Sequence, residues 1–539
     1  MNSRHLTRLS AIIILVTVFF FSGCEEPSGK TDLGVPGPEI SLGTTIGSLV
    51  EVFSIQSIGV EGYALVDRLN GTGSSECPPA IRTYLTQYIL KHLPGYDVDE
   101  YINSSNTAVV RVEGRMPTTT SAKQYFDVRV SALAGTQTTS IEGGWLYRAE
   151  LKAAGNFGTM VKTLATVEGP IYIDRLGDSP SDKRTGYILA GGTVLDKYKI
   201  NLVLRRPDYR TANLIRNKLN ERFGNDTAKA ISSDHIELNV PPEYAEQRRR
   251  FTSIVKSIYT SETKDLRNKR ISTFIRKLAV SSEKEQSEIM LEAIGNASLS
   301  KLSALLNSSG EEIRLRAGRC MLNLGSDAGL EALREIATDS SSAYRIEALE
   351  AITSAANRND ATAISRNLLR GGDFDIRLAA YEQLRRLEDI AIRQRSIARS
   401  FYLEEIVQSQ NKSIFVSRSG QPRIVLFGVP IYCRENVFIQ SSDGSITINA
   451  PAGQEYVSII RKHPRRPNVM AKLESSFELS DIIRTLCEEP VRREEGGHVG
   501  LNVSYSEAIA LLQQMVEKGA VGAEFRAGPM PKIGPIIKK

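Results

Sequence analysis

The sequence predicts an α+β protein in which two β-rich regions are separated by an all-α segment. Three observations carry this. Stretches alternating apolar and polar residues, the pattern of a half-buried strand, recur early: Phe126-Asp-Val-Arg-Val-Ser131, Lys199-Ile-Asn-Leu-Val-Leu204 and His235-Ile-Glu-Leu-Asn-Val240. From about Lys264 to Ser400 such signals vanish, and Ala, Leu, Arg and Glu dominate. After Ser400 strand-like runs return, as Arg423-Ile-Val-Leu-Phe427 and Gly444-Ser-Ile-Thr-Ile-Asn449. A chain of 539 residues has room for about two to four domains, and 41% hydrophobic with 24% charged residues is ordinary for globular protein. A net charge of +6 is small for this length and gives no concentrated basic face, so no nucleic-acid partner is expected. Arg248-Arg249-Arg250 and Arg465-Arg466 read as solvated surface.

Residues 1–24 read as a signal. Arg4, His5 and Arg8 precede an apolar run, Ala11 to Phe21, that is too short to span a bilayer. Ser22-Gly23-Cys24 follows, and a Cys after a small residue resembles a lipoprotein cleavage box, with Phe21 where Leu is usual. Cleavage there would free the Cys24 thiol for lipidation, an anchor that does not cross the membrane. Glu25 follows where an inner-membrane retention signal would have Asp, which favours the outer membrane facing the periplasm. Residues 25–44, with Pro27, Pro36 and Pro38, form a flexible linker. The compartment is oxidising, so Cys77, Cys320, Cys433 and Cys487 can pair. Cys433 and Cys487 share one region and are the candidate disulfide, although sequence does not fix connectivity.

The N-terminal α+β region is placed at 45–262. Ile81, Leu85, Tyr88 and Ile89 share a helical face, and Thr107–Val112 is a β-branched strand. Ala212, Ile215, Leu219 and Phe223 fall at helical spacing, with Asp208 or Thr211 as cap. Pro241-Pro242 stops the strand at 235–240. The all-α segment is placed at 263–400. Within it Ile313-Arg-Leu-Arg-Ala317, Tyr344-Arg-Ile-Glu-Ala348 and Ile376-Arg-Leu-Ala-Ala380 recur at spacings of 31 and 32 residues. This resembles short HEAT-like helix-pair repeats, in which an early Arg ties neighbouring units; an irregular helical bundle is the alternative. Ile289 to Leu306 is read as a first, capping unit. The C-terminal region, 401–526, holds the strands named above, a helix at 478–486 and a second helix capped by the box Ser504-x-x-Glu507 and ended by Gly519. Glu494-Glu495, beside Gly496-Gly497, reads as a surface loop, and residues 527–539, with three prolines, as a disordered tail.

Gly59 to Gly73 looks at first like a phosphate loop. No Lys-Ser/Thr follows Gly73, and Gly71-Thr72-Gly73 leads into Ser-Ser-Glu-Cys-Pro-Pro instead of opening a helix. The stretch instead resembles the opening signature of the bacterial flagellar P-ring protein family. Ile55-Gln-Ser-Ile-Gly-Val60, Gly62-Tyr-Ala-Leu-Val66 and Leu69-Asn-Gly-Thr-Gly73 carry the likeness, with Ala64 where the family has Gly and Asp67-Arg68 where it has a small apolar-Gly pair. Further blocks follow in the family's order: Asn106–Gly114, Tyr125–Leu133, Gly143-Gly144 and Asn201–Ala212, the last containing Pro-Asp-Tyr-Arg-Thr-Ala. Later blocks near 423–427, 444–449, 478–486 and 520–525 are similar to its closing hairpin, helix and strand. The helical segment then reads as an insertion between the family's two halves, projecting outward from a ring.

The resemblance implies a structural subunit of a periplasmic ring around the flagellar rod, acting as a bushing and assembling with itself, the rod and other basal-body rings. The alternative is a P-ring-derived lipoprotein that binds another envelope protein through its repeats. Neither reading calls for catalysis. His5, His92, His235, His463 and His498 have no paired ligand spacing, no Gly-x-Ser-x-Gly elbow occurs, and no carboxylate pair stands out from solvated helix charge. No cofactor or metal is expected.

Overall fold

The computed structural model describes residues 42–533 apart from 54–56, 93–97, 99–101, 119–123, 157–160, 177–181, 197, 246, 464–465 and 491–498. The signal, Cys24, most of the linker, the 494–497 loop and the last residues of the tail lie outside the described residues.

After a single helical turn at Ile46–Leu49 comes a short strand, β1 (Val50–Phe53). Six strands then close into a barrel: β2 (Ser57–Asp67), β3 (Ala108–Pro117), β4 (Tyr125–Ala132), β5 (Trp145–Ala153), β6 (Ala165–Pro170) and β7 (Thr185–Val194), in the order β2-β3-β4-β7-β6-β5. Alternation drives this, because Val60, Val66, Val110, Val112, Val128 and Val130 all point inward and are buried. Helix α1 (Pro79–His92) lies outside, with Leu85 and Ile89 packed against Leu65 and Val109 of the barrel's outer face.

β8 (Ile200–Leu204), β9 (Ala228–Ala230) and β10 (His235–Leu238) join β1 in an antiparallel sheet of order β1-β8-β10-β9. Two helices cover it: α2 (Tyr209–Phe223) and α3 (Arg248–Ser257). Asp208 caps α2, accepting from the Arg210 and Thr211 amides.

A run of helices follows: α4 (Lys264–Val280), α5 (Lys284–Ile294), α6 (Glu311–Asn323), α7 (Leu330–Thr338), α8 (Arg345–Ala355), α9 (Arg358–Leu368) and α10 (Phe374–Arg386). Consecutive helices touch, and α5, α6, α8 and α10 also touch one another in that order. They form one stacked layer. The three repeated motifs stand at the starts of α6, α8 and α10, all in this layer. The helices end at Arg386, and a strand that sequence reading missed, β11 (Arg393–Ile397), lies inside the segment assigned as helical.

β11 belongs to a five-stranded sheet with β12 (Phe401–Ile406), β13 (Ser413–Val416), β14 (Arg423–Phe427) and the late strand β19 (Glu524–Ala527), in the order β11-β12-β14-β13-β19. Between them the chain makes an antiparallel meander, β15 (Val437–Gln440), β16 (Ile446–Ala450), β17 (Val457–His463) and β18 (Arg466–Ser475). Two further helices follow, α11 (Leu479–Cys487) and α12 (Tyr505–Glu517). The five-stranded sheet is buried on both faces. Leu403, Ile414, Ile424 and Leu426 face α11 and α12, while Ile406, Phe415, Val425 and Phe427 face the helical run. That explains the near-continuous apolar run at 423–427.

Candidate functional site

The glycine-rich signature ends β2 and turns out of the barrel. Four of its amides bond within the chain. Leu69 N–H donates to Asn106 O, Thr72 N–H to Leu69 O, Gly73 N–H to Ser105 O and Ser74 N–H to Thr107 O, at 2.9–3.1 Å. The Thr72 hydroxyl bonds both Leu69 O and Ser140 O at 2.8 Å. A loop whose donors serve its own chain offers no cradle for a phosphate. Two glycines are there for space: a Cβ on Gly73 would sit 2.0 Å from Thr107 O, and one on Gly62 would sit 2.5 Å from Glu150 O. The signature is a packing device, pinning β2 to β3, β5 and the 138–144 loop.

The barrel is fastened to the C-terminal region by polar contacts over an apolar seam. Asp127 accepts from the amides of Ala190 at 2.8 Å and Gly420 at 2.9 Å. Burial raises its pKa, and the two amides pull it back. Arg418 pairs with Asp174 at 3.1 Å, and Tyr172 lies against Tyr505 with ring centroids 5.9 Å apart. Between the lobes lies a broad, open cleft of about 1620 Å³, lined by Asn70, Gly143 and Trp145 on the barrel side and Ser400, Asp443 and Asn502 on the other.

The helical run is bolted at both ends by buried charge. At its start Glu288 and Glu292 of α5 are fully buried. Glu288 accepts from Arg250 of α3 at 2.6 Å and from Arg319 of α6 through two bonds of 2.6 Å, with Arg316 at 3.2 Å. Glu292 accepts from Arg250 and, at 3.2 Å, from Asn323. Burial alone would raise the Glu288 pKa; Arg250 and Arg319 outweigh it and hold the carboxyl at about 2. At the other end Glu404 of β12, also fully buried, takes Tyr381 and Arg385 of α10 and Gln394 of β11. Buried Arg377 donates to Ser409 Oγ and Asn411 O, both at 2.8 Å.

Two sequence readings are corrected here. The basic run at 248–250 is not simply solvated, because Arg250 is nearly buried between two carboxylates and Arg248 donates to Thr118 O and Tyr198 O. A carboxylate pair does stand out: Glu288 and Glu292, four apart within Glu-Ile-Met-Leu-Glu-Ala, share the face α5 turns inward. An i, i+4 acidic pair inside an apolar run was the available signal. Cys433 and Cys487, the candidate disulfide pair, are both buried in one core as free thiols. Burial pushes the Cys433 thiol up to about 11 and the Cys487 thiol higher still. Among the described residues no three His, Cys, Asp or Glu side chains gather as metal ligands. His235 lies on β10 and His463 ends β17, while His5, His498 and the His92 side chain fall outside the described residues.

Residues 45–272 match the family model for the flagellar P-ring protein, a span covering β1, the barrel, the small sheet with α2 and α3, and the first half of α4. The chain is 27% identical over 232 residues to a flagellar P-ring protein of Desulfotalea psychrophila, covering 40% of this chain and 57% of that one. It is 32% identical over 212 residues to one of Thermotoga maritima, covering 36% and 61%. It is 29% identical over 247 residues to one of Campylobacter lari, covering 43% and 68%. The chain thus spans about three fifths of the length of the first two relatives. Residues 45–272 are thus similar to the flagellar P-ring proteins, and most of the helical run lies beyond that match.

Proposed function

We propose that this protein is a structural subunit of a flagellar basal-body P ring, many copies closing around the distal rod in the periplasm as a bushing for rotation. The family match over 45–272 carries the reading. The geometry supports it, since Gly62 and Gly73 serve close backbone packing and four amides of the loop bond within the chain. A rigid barrel docked to a second lobe suits a part that must hold shape under load. The later blocks at 423–427, 444–449 and 478–486 are read as the family's C-terminal half, with the helical run inserted before them and projecting outward. Its stacked α5-α6-α8-α10 layer is read as HEAT-like. Cys24 is proposed as a lipid anchor to the outer membrane, checked by labelling with a radioactive fatty acid, which Cys24→Ala should abolish.

A second reading has support from the same helices: a P-ring-derived periplasmic lipoprotein whose stacked repeats bind another envelope protein. Deletion separates the two. Loss of motility and of the P ring from purified basal bodies supports the ring subunit. Intact basal bodies and normal swimming without the protein would refute it and leave the binding role.

A further inference from the structure

The meander β15-β16-β17-β18 has its first and last strands as its two edges. Register fixes which residues share a face. Ile439, Ile448, Ile459 and Leu473 form one row across the sheet, and the first three are buried in the core shared with α11 and α12. The adjacent row, Gln440-Thr447-Ile460-Lys472, therefore points the other way, as do Phe438, two residues before Gln440, and Met470, two before Lys472. Phe438 is 60% exposed at one edge and Met470 60% exposed at the other. Beyond Leu473 the β17-β18 pair continues as a ribbon whose Val469 is also exposed. A two-stranded ribbon is marginal alone, and open edges with large apolar side chains invite another strand.

We propose that β18 of one copy pairs with β15 of the next, so that this sheet runs on from copy to copy. The proposal rests on the ring reading and names its contact. Polarity allows it: β15 and β17 run one way, β16 and β18 the other. A copy added in the same orientation presents β15 antiparallel to β18 and continues the alternation. The contact joins opposite edges, the heterologous kind that ring closure requires, whereas a two-fold dimer would pair like with like. Within one sheet Phe438 stands level with Glu474, so the proposed pairing is offset by four residues along β18, which sets Phe438 of the incoming copy opposite Met470, and closure leaves no free edge.

The test uses the full chain with Phe438→Cys and Met470→Cys together, and with Cys24→Ser and Cys77→Ser; Cys320, Cys433 and Cys487 are buried. Mild oxidation should give a ladder of oligomers, with at most dimers from either single-cysteine variant. Rings visible by electron microscopy without a ladder would overturn the edge pairing and leave the ring reading standing. No assembly at any concentration would overturn both. Separately, Phe438→Asp should lower the assembled fraction at least tenfold with an unchanged circular dichroism spectrum, and Met470→Lys in the same chain should restore it. Undiminished assembly of Phe438→Asp would also refute the pairing.

Discussion

Gly73 and Glu288 show what single positions are asked to do. A Cβ at 73 has no room, because Thr107 O is 2.0 Å from where it would stand and that carbonyl is held by Ser74 N–H at 3.0 Å. Gly73→Ala should therefore destabilise by more than about 3 kcal/mol, read as a lowered urea midpoint, whereas Gly71→Ala, with open space around it, should cost about 1 kcal/mol for its positive φ. Glu288 works through charge. Its carboxyl is ordinarily near 4.5 and is held at about 2. A depressed carboxylate contributes its stability in full above the higher value and loses it as pH falls toward the lower one. Unfolding free energy should thus fall between about pH 4.5 and 2, by on the order of 3 kcal/mol from this group. Glu288→Gln should flatten that part of the profile. It should also cost about 3–5 kcal/mol at neutral pH, because Arg250, Arg316 and Arg319 lose their shared anion. A wild-type slope in the variant would refute the assignment.

At the scale of elements, much was legible where local rules decide. The Asp208 cap, the Ser504–Glu507 capping box and the alternating strands at 126–131, 199–204 and 235–238 all form as their residues dictate. Barrel closure was not legible, because β2 pairing with β5 across some eighty residues leaves no local mark. The strand β11 was hidden because Arg393, Gln394, Arg395 and Ser396 are all exposed, so it has no alternation to read. The buried carboxylates were hidden because charge is normally outside. The repeat arginines were seen, but they do unequal work. Arg314 bonds the carbonyls of Ser308 and Ser309 just before its own helix, Arg345 reaches Asp373 at the cap of the next unit, and Arg377 reaches into the β region. Asp373 is half-exposed, so the Arg345 tie is worth little. Arg345→Ala should shift the thermal midpoint by no more than a few degrees, about 1 kcal/mol. Arg377→Ala, buried and donating to Ser409 and Asn411, should cost about 3 kcal/mol or more. Equal effects of the two would show that position in the repeat, and not burial, sets their worth.

For the whole molecule, the helical run lies between two β-rich regions in sequence but is not detachable in structure. One face of the five-stranded sheet packs Ile406, Phe415, Val425 and Phe427 against α10 and the helices stacked beside it, in a single core with Leu349, Ile352, Tyr381 and Leu384. A subunit that simply gained a module would lose it without harm. This chain would instead expose a contiguous apolar face and strip Glu404 of Tyr381 and Arg385. Replacing residues 264–392 by a short Gly-Ser linker should therefore give a protein that binds a hydrophobic dye and aggregates. The same deletion with Phe415, Val425 and Phe427 changed to Thr, and Glu404 to Gln, should recover soluble material. The barrel half should fold in both, since its core is closed upon itself. Should the simple deletion stay soluble, dye-negative and able to assemble, the helices would be an appended binding arm, and the sheet face they cover would owe its apolar residues to some other contact.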